Sequence, residues 1–453
     1  MLTFGLGDYL LIILYFLAAV WIGFRSGRKD KSEVDYLVMG RRLSLPAFVA
    51  TLVSSFYGGI LGVGEFTYRF GISSWFLNAF PYYIFITLFA VFLAKRIRRS
   101  NLFTIADKLD SIYGKNVSIL GAVLVFLLVT PAPYVFMLGI ITSMIFGFPL
   151  WISMVATLIF SIAFLFRGGL KADVRVNIFE FILMFAGFGV IIPFCFTQLG
   201  NFDYLSANLP SNHLSFTGGN SVSYILVWFF IGAWAVVDPS FHQRCYSAKS
   251  EKTAIKGVFF SLFFWFIFDS MTTLTGLYAF ASIKNIQDPV MAYPMLAQNI
   301  LPDFAKGFFF VGLIATIMST LHSNLFISAT TLGRDIISKF STEKKSSNLY
   351  SKIGILITSV LSVIIALLVP SVVQIWYFIG SMTIPALLIG IVSSYFVNLQ
   401  INKKWIFSAM IVSFLFSFIW IIFSIGLIEP MYPGLISGLL IYTTGKIAKK
   451  NFV

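Results

Sequence analysis

The chain has 453 residues, of which 58% are hydrophobic and 11% charged, with a formal net charge of +14 and a mean hydropathy of +0.90. A water-soluble protein of this size keeps roughly a quarter of its surface charged, so a soluble enzyme is excluded. The positive charge signals no nucleic-acid partner until lipid topology has accounted for it.

Apolar runs between charge clusters predict an all-α polytopic membrane protein with about thirteen transmembrane helices. They fall near 8–24, 44–66, 73–94, 117–146, 148–166, 177–197, 221–240, 255–282, 306–331, 352–370, 372–398, 405–427 and 431–447. Each is close to the ~20 residues that cross a bilayer. With these boundaries 29 of the 32 Lys and Arg lie on one side, and Arg69, Lys284 and Lys306 on the other. By the positive-inside rule the N-terminus is outside and the C-terminus cytoplasmic. The basic side then faces anionic lipid headgroups of the cell inner (plasma) membrane. No basic n-region precedes the first apolar run, so no secretory signal is expected. Cys195 lies near the outer face and Cys245 in a cytoplasmic loop, too far apart for a disulfide.

The chain reads as one transporter domain over 1–453. Residues 1–43 carry an additional helix and loop, 44–197 and 221–398 are two units of five spans, and 405–447 holds two more helices. Five is odd, so the second unit enters the membrane upside down, the pattern of an inverted repeat with its site at broken helices near the midplane. Segments 100–115 and 283–305 read as surface helices, and 334–351 as a polar, Lys- and Ser-rich loop.

Polar groups inside hydrocarbon need a partner or a task. The second span, ATLVSSFYGGILGVGEF, carries Gly58, Gly59, Gly62 and Gly64, which weaken a helix by about 1 kcal/mol each relative to Ala. In the ninth span Thr316, Ser319, Thr320 and Ser323 share one helical face. Hydroxyl and carbonyl oxygens suit a hard cation, and a dehydrated Na+ takes about five of them. One intact helix cannot supply five, so an unwound second segment has to contribute free carbonyls. Two bland readings stand beside this one: glycines for close helix packing, and hydroxyls bonded back to their own helix.

Read together, these segments resemble the sodium/solute symporter family, relatives of the sodium/proline and sodium/galactose transporters. The resemblance rests on DYLVMGRRL (35–43), LGVGEFTYRFG (61–71), GGLKADVRVNIFE (168–180), DPSFHQRCYSAK (238–249) and IMSTLHSNL (317–325) with RDI after it. It implies a five-plus-five inverted-repeat fold of the leucine-transporter type and Na+-driven uptake of a small organic solute. It also implies one sodium site, built from the carbonyls of Leu52, Ser55 and Thr316 and the hydroxyls of Ser319 and Thr320. Val176-Asn177 stands where many relatives have Thr-Asp, Glu180 replaces a Gln, and His322 and Ser323 occupy the next turn of the sodium helix. One Na+ per cycle is therefore expected.

The solute should lie beside that cation. Tyr57, Gly58 and Gly59, Tyr134, Trp228 and Trp234, and Trp376 and Tyr377 are the candidates. Sugar-carrying relatives have Gln where Gly59 stands, so a small neutral, zwitterionic or monoanionic solute is expected. Glu65 and Arg69 have the spacing of an intrahelical ion pair and a gate role. Asp269 reads as a helix-packing residue. His322 beside Glu180 offers the alternative of an H+-coupled symporter. A membrane-embedded enzyme has little support: the three histidines lie in separate segments, and no HExxH, GxSxG or Walker sequence occurs. A sensor subunit would need a signalling domain after the last span, where only a few residues follow.

Overall fold

The computed structural model describes residues 3–26, 32–341, 347–423 and 428–450, and among these the regular secondary structure is all helical apart from one isolated β-bridge. In chain order the membrane helices are α1 (Leu6–Ser26), α2 (Leu45–Phe56), α3 (Ile60–Phe70), α4 (Ser73–Ser100), α5 (Lys115–Phe146), α6 (Leu150–Ile162) and α7 (Gly169–Gln198). They continue as α8 (Val222–Ser247), α9 (Glu251–Ser282), α10 (Ala305–Phe340), α11 (Leu349–Leu368), α12 (Val372–Tyr395), α13 (Lys403–Phe423) and α14 (Met431–Lys450).

Every predicted span falls on a helix. Among the described residues ten are long and apolar enough to traverse a bilayer, and α2 with α3 adds an eleventh as a pair bent by 58°. The span expected at 148–166 is α6, whose helical backbone continues past Ile162 to a kink at Gly169. The one expected at 431–447 is the 20-residue α14, whose end carries Lys446 and Lys449. The polar loop expected at 334–351 is also corrected. The helix of α10 runs on to Phe340, with a wide π-type turn over Thr331–Ile337. Residues 342–346 lie outside the described residues.

A chain this apolar cannot sort lipid-facing from core-facing helices by hydropathy, so burial decides. The most apolar stretch of α10 is wholly buried, whereas those of α1, α9, α11 and α13 are about a third buried or less. Exposed Trp21, Phe263, Leu368 and Phe416 mark the lipid side of those four helices. α10 is thus the central post, packed against α7, α1 and α11. Gly187 of α7 and Gly312 of α10 let the two backbones touch, since a Cβ on Gly187 would stand 2.7 Å from Gly312 Cα.

Two helices are interrupted. α2 ends at Phe56, Tyr57 to Gly59 are not helical, and α3 resumes at Ile60. α8 breaks after Ile231 at Gly232-Ala233, and again at Asp238, where the Asp238 carboxylate caps the turn that starts at Pro239. The lead-in to α2 is tied to the end of α8, because Leu43 N–H donates to the Ser247 carbonyl and Lys249 N–H to the Leu43 carbonyl, both at 3.0 Å. The surface helices expected at 100–115 and 283–305 are Ile105–Tyr113, opened by a Thr104–Asp107 capping box, and Ala292–Ile300. The second is packed rather than superficial, with Tyr293 and Leu296 fully buried.

Candidate cation and solute site

The last carbonyls of a helix have no amide of their own helix to accept from. At the end of α2 these groups find partners on neighbouring helices. The Val53 carbonyl accepts from the indole N–H of Trp265 at 3.3 Å. The Ser54 carbonyl accepts from Ser319 Oγ at 2.8 Å and from Thr320 Oγ1 at 3.2 Å. Ser319 Oγ also lies 2.9 Å from the Thr316 carbonyl. The Ser55 hydroxyl is buried and has no hydrogen-bond partner among the described residues. The break in α2 and the hydroxyl face of α10 therefore meet directly, 265 residues apart in sequence.

The four hydroxyls of that face serve three purposes. Thr316 Oγ1 bonds back to the Gly312 carbonyl at 2.7 Å, the bland reading given above for the stripe. Ser319 and Thr320 face the break. Ser323 belongs to a separate polar cluster, donating to Asp173 Oδ1 at 2.8 Å. Leu52 is fully buried one turn before the end of α2. Gly58 makes the approach possible: a Cβ there would lie 2.3 Å from Thr320 Cβ and Oγ1. Gly58→Ala should consequently push α10 from the break and raise the Na+ concentration needed for half-maximal binding, which a Na+ titration of thermal stability reads directly.

Beside the break lies a cavity of about 900 Å³ including its mouth. Of the residues expected at the solute, Tyr57, Gly59, Tyr134, Trp228, Trp234 and Trp376 line it, as do Ser55 and Thr320. A Cβ on Gly59 would meet the Trp376 ring at 2.0 Å, so this glycine holds open the space the indole occupies. Gly58 turns to Thr320 instead. Tyr377 does not line the cavity; its hydroxyl donates to Glu429. Sequence reasoning missed two acidic members of the wall, Asp238 and Asp269. Asp269 ties neighbouring helices together, as expected, and also lines the cavity. Its two carboxylate oxygens accept from Tyr57 and Tyr83 hydroxyls, each at 2.5 Å. The signal was FDSMTTLTG on an otherwise apolar helix, where a carboxylate has to face protein or water.

A second polar cluster is fully enclosed. Arg244 of α8 and Asp173 of α7 form an ion pair at 2.9 Å with both side chains wholly buried. Arg244 Nη2 also donates to Ser323 Oγ at 3.0 Å, and Asn177 Nδ2 to the same oxygen at 3.1 Å. Arg244 and Cys245, expected in a cytoplasmic loop, are therefore helical and buried. Both cysteines are free thiols. Glu180 accepts from Tyr15 at 2.8 Å and lies 3.9 Å from His322 Nδ1. Glu65 and Arg69 make the expected pair at 3.1 Å, away from the cavity, with Arg69 half exposed.

A cavity open at its mouth thus lies beside two interrupted membrane helices and the buried α10. The family model of the sodium:solute symporter family matches residues 36–413, and the chain belongs to that family; it is a multi-pass plasma-membrane protein. The high-affinity choline transporter 1 of Drosophila melanogaster is 23% identical over 401 residues, covering 81% of this chain and 63% of the relative. The human sodium-coupled monocarboxylate transporter 2 is 25% identical over 354 residues, covering 71% of this chain and 57% of the relative. The chain thus spans less than two thirds of the length of either. Among solved structures, a substrate-bound, outward-open Na+-coupled sialic acid symporter superposes with a TM-score of 0.84 at 15% identity, covering 100% of this chain and 99% of that one. A manganese transporter of Eremococcus coleocola gives 0.54 at 12% identity, covering 93% and 96%. These likenesses place the fold in the leucine-transporter class.

Proposed function

We propose that the protein is a secondary active transporter that couples inward movement of Na+ to uptake of a small organic solute by alternating access. The observation that carries this reading is the contact of Ser319 and Thr320 with the Ser54 carbonyl at the break in α2. In the proposed site Na+ takes the carbonyls of Leu52, Ser55 and Thr316 and the hydroxyls of Ser319 and Thr320. The two hydroxyls, which donate to the Ser54 carbonyl, would rotate to present lone pairs to the cation. Na+ then bridges α2 and α10 and stabilises the outward-open state, and solute in the adjoining cavity allows closure. The repeats are proposed as 44–197 and 221–398, with the Lys- and Arg-rich side cytoplasmic. Na+ in the absence of solute should raise the unfolding temperature of the purified protein where equal K+ does not. Equal stabilisation by both ions, or by neither, would remove Na+ coupling.

A stoichiometry of one Na+ is proposed because the other acidic position beside the hydroxyl face is already neutralised. Arg244 is a resident cation at Asp173 and Ser323, and a second Na+ there would face a guanidinium. One Na+ entering releases about 2.3 kcal/mol per 100 mV, and a tenfold gradient adds about 1.4 kcal/mol. That is enough for several-hundred-fold accumulation of a neutral solute. Reversal-potential measurements should yield a Na+-to-solute ratio of one; a ratio of two would remove this part.

An H+-coupled cycle on the same fold is favoured by one feature, the enclosed Tyr15–Glu180–His322 cluster. Uptake driven by an inward proton gradient with Na+ absent would select it.

A further inference from the structure

The wall of the cavity is acidic and aromatic at once. Among its described lining residues there are two carboxylates, Asp238 and Asp269, and no Lys, Arg or His. Asp238 is partly committed to structure: its oxygens accept from the Ser240 amide at 2.7 Å, from the Ser240 hydroxyl, and from the Trp234 indole at 3.1 Å. Arg244, on the same helix, is turned to Asp173 and does not line the cavity. Asp269 caps no helix; it is held by Tyr57 at the break after α2 and by Tyr83 of α4. It forms no ion pair among the described residues, and its hydrogen bonds come from two phenols that themselves line the cavity, Tyr57 and Tyr83. Two phenols neutralise no charge. Trp234, Trp265 and Trp376 line the same cavity, and an aromatic π face attracts a cation and does nothing for an anion. A solute carboxylate would meet two acidic side chains and no basic one on this wall, leaving the single Na+ of the adjoining site as its only counter-charge.

We propose that the solute recognised in this cavity is a small organic ammonium ion, its charge set against Asp269 and its alkyl groups against the tryptophan faces. The inference rests on the symport reading above and narrows it. Of the two chemistries in the relatives' names, the cavity fits the organic cation and opposes the monocarboxylate. The sequence alone favours neutral, zwitterionic or monoanionic solutes, because few charged side chains are available and Gly59 stands where sugar-carrying relatives have Gln.

The test is a thermal-stability panel on the purified full chain in Na+ buffer. The probes are choline, tetramethylammonium, the uncharged choline isostere 3,3-dimethyl-1-butanol, and lactate. Choline or tetramethylammonium should stabilise the protein at concentrations at least tenfold below those needed with the uncharged isostere, and lactate should have no effect. Asp269→Asn should raise the half-saturating ammonium concentration at least tenfold; should that variant fail to fold, the wild-type comparison stands without it. Lactate or the uncharged alcohol acting as well as the cations would overturn the proposal, as would ammonium ions without effect on protein that Na+ itself stabilises. A preparation that Na+ does not stabilise counts against the symport reading, and the same four probes then still decide the charge the cavity accepts.

Discussion

Replacing Ser319 or Thr320 with Ala is expected to raise the Na+ concentration for half-maximal uptake by about ten- to a hundredfold. Each hydroxyl is one of five proposed ligands to a full charge, and a polar contact to a charged group is worth about 1.5–3 kcal/mol. Both oxygens are buried on α10 and both reach the Ser54 carbonyl; Ser319→Ala removes only a hydroxyl, and Thr320→Ala a hydroxyl and a methyl. The maximal uptake rate should fall less than the Na+ affinity. Thr320→Ser, which keeps the oxygen and drops the methyl, should sit near wild type. Unchanged Na+ dependence in both alanine variants would sink the site.

Breaking the Asp173–Arg244 pair should produce the largest loss of stability. Both groups are wholly enclosed, and removing one partner of a buried pair strands the other charge, at a cost of about 3–5 kcal/mol. Arg244→Met and Asp173→Leu should each lower the unfolding temperature sharply and reduce the yield of folded protein. The double variant removes both charges and should recover most of the loss, since an apolar pair of similar volume is close to neutral in such settings. A double variant no better than the worse single one would mean that Arg244 serves mainly its other partners, Ser323 and Gln243.

Much of this architecture is legible before any coordinates. Crossing helices announce themselves by length and apolarity, and the break in the second span is written in Gly58 and Gly59, which no packing demand restores to helix. Hydropathy misplaces Arg244: a guanidinium reads as an edge residue until a carboxylate 71 positions upstream is found beside it. The solute chamber is the least legible part. With 18% aromatic residues, rings facing the chamber and rings facing lipid share one composition, and Tyr82, Tyr83 and Trp265 of the wall are indistinguishable from their lipid-facing neighbours. Asp269 is visible as an oddity, but its purpose depends on which way a helix with no clear polar face is turned.

The hydrogen bonds from Ser319 and Thr320 to the Ser54 carbonyl carry a consequence for biogenesis. Synthesis delivers the interrupted helix long before the helix that satisfies it, so for some 265 residues of elongation that carbonyl has no partner from α10. Insertion of the nascent chain must therefore keep the unwound turn shielded from acyl chains until α10 arrives. Ribosome-bound intermediates truncated just before Ala305 should be more readily degraded than those that extend past Phe340.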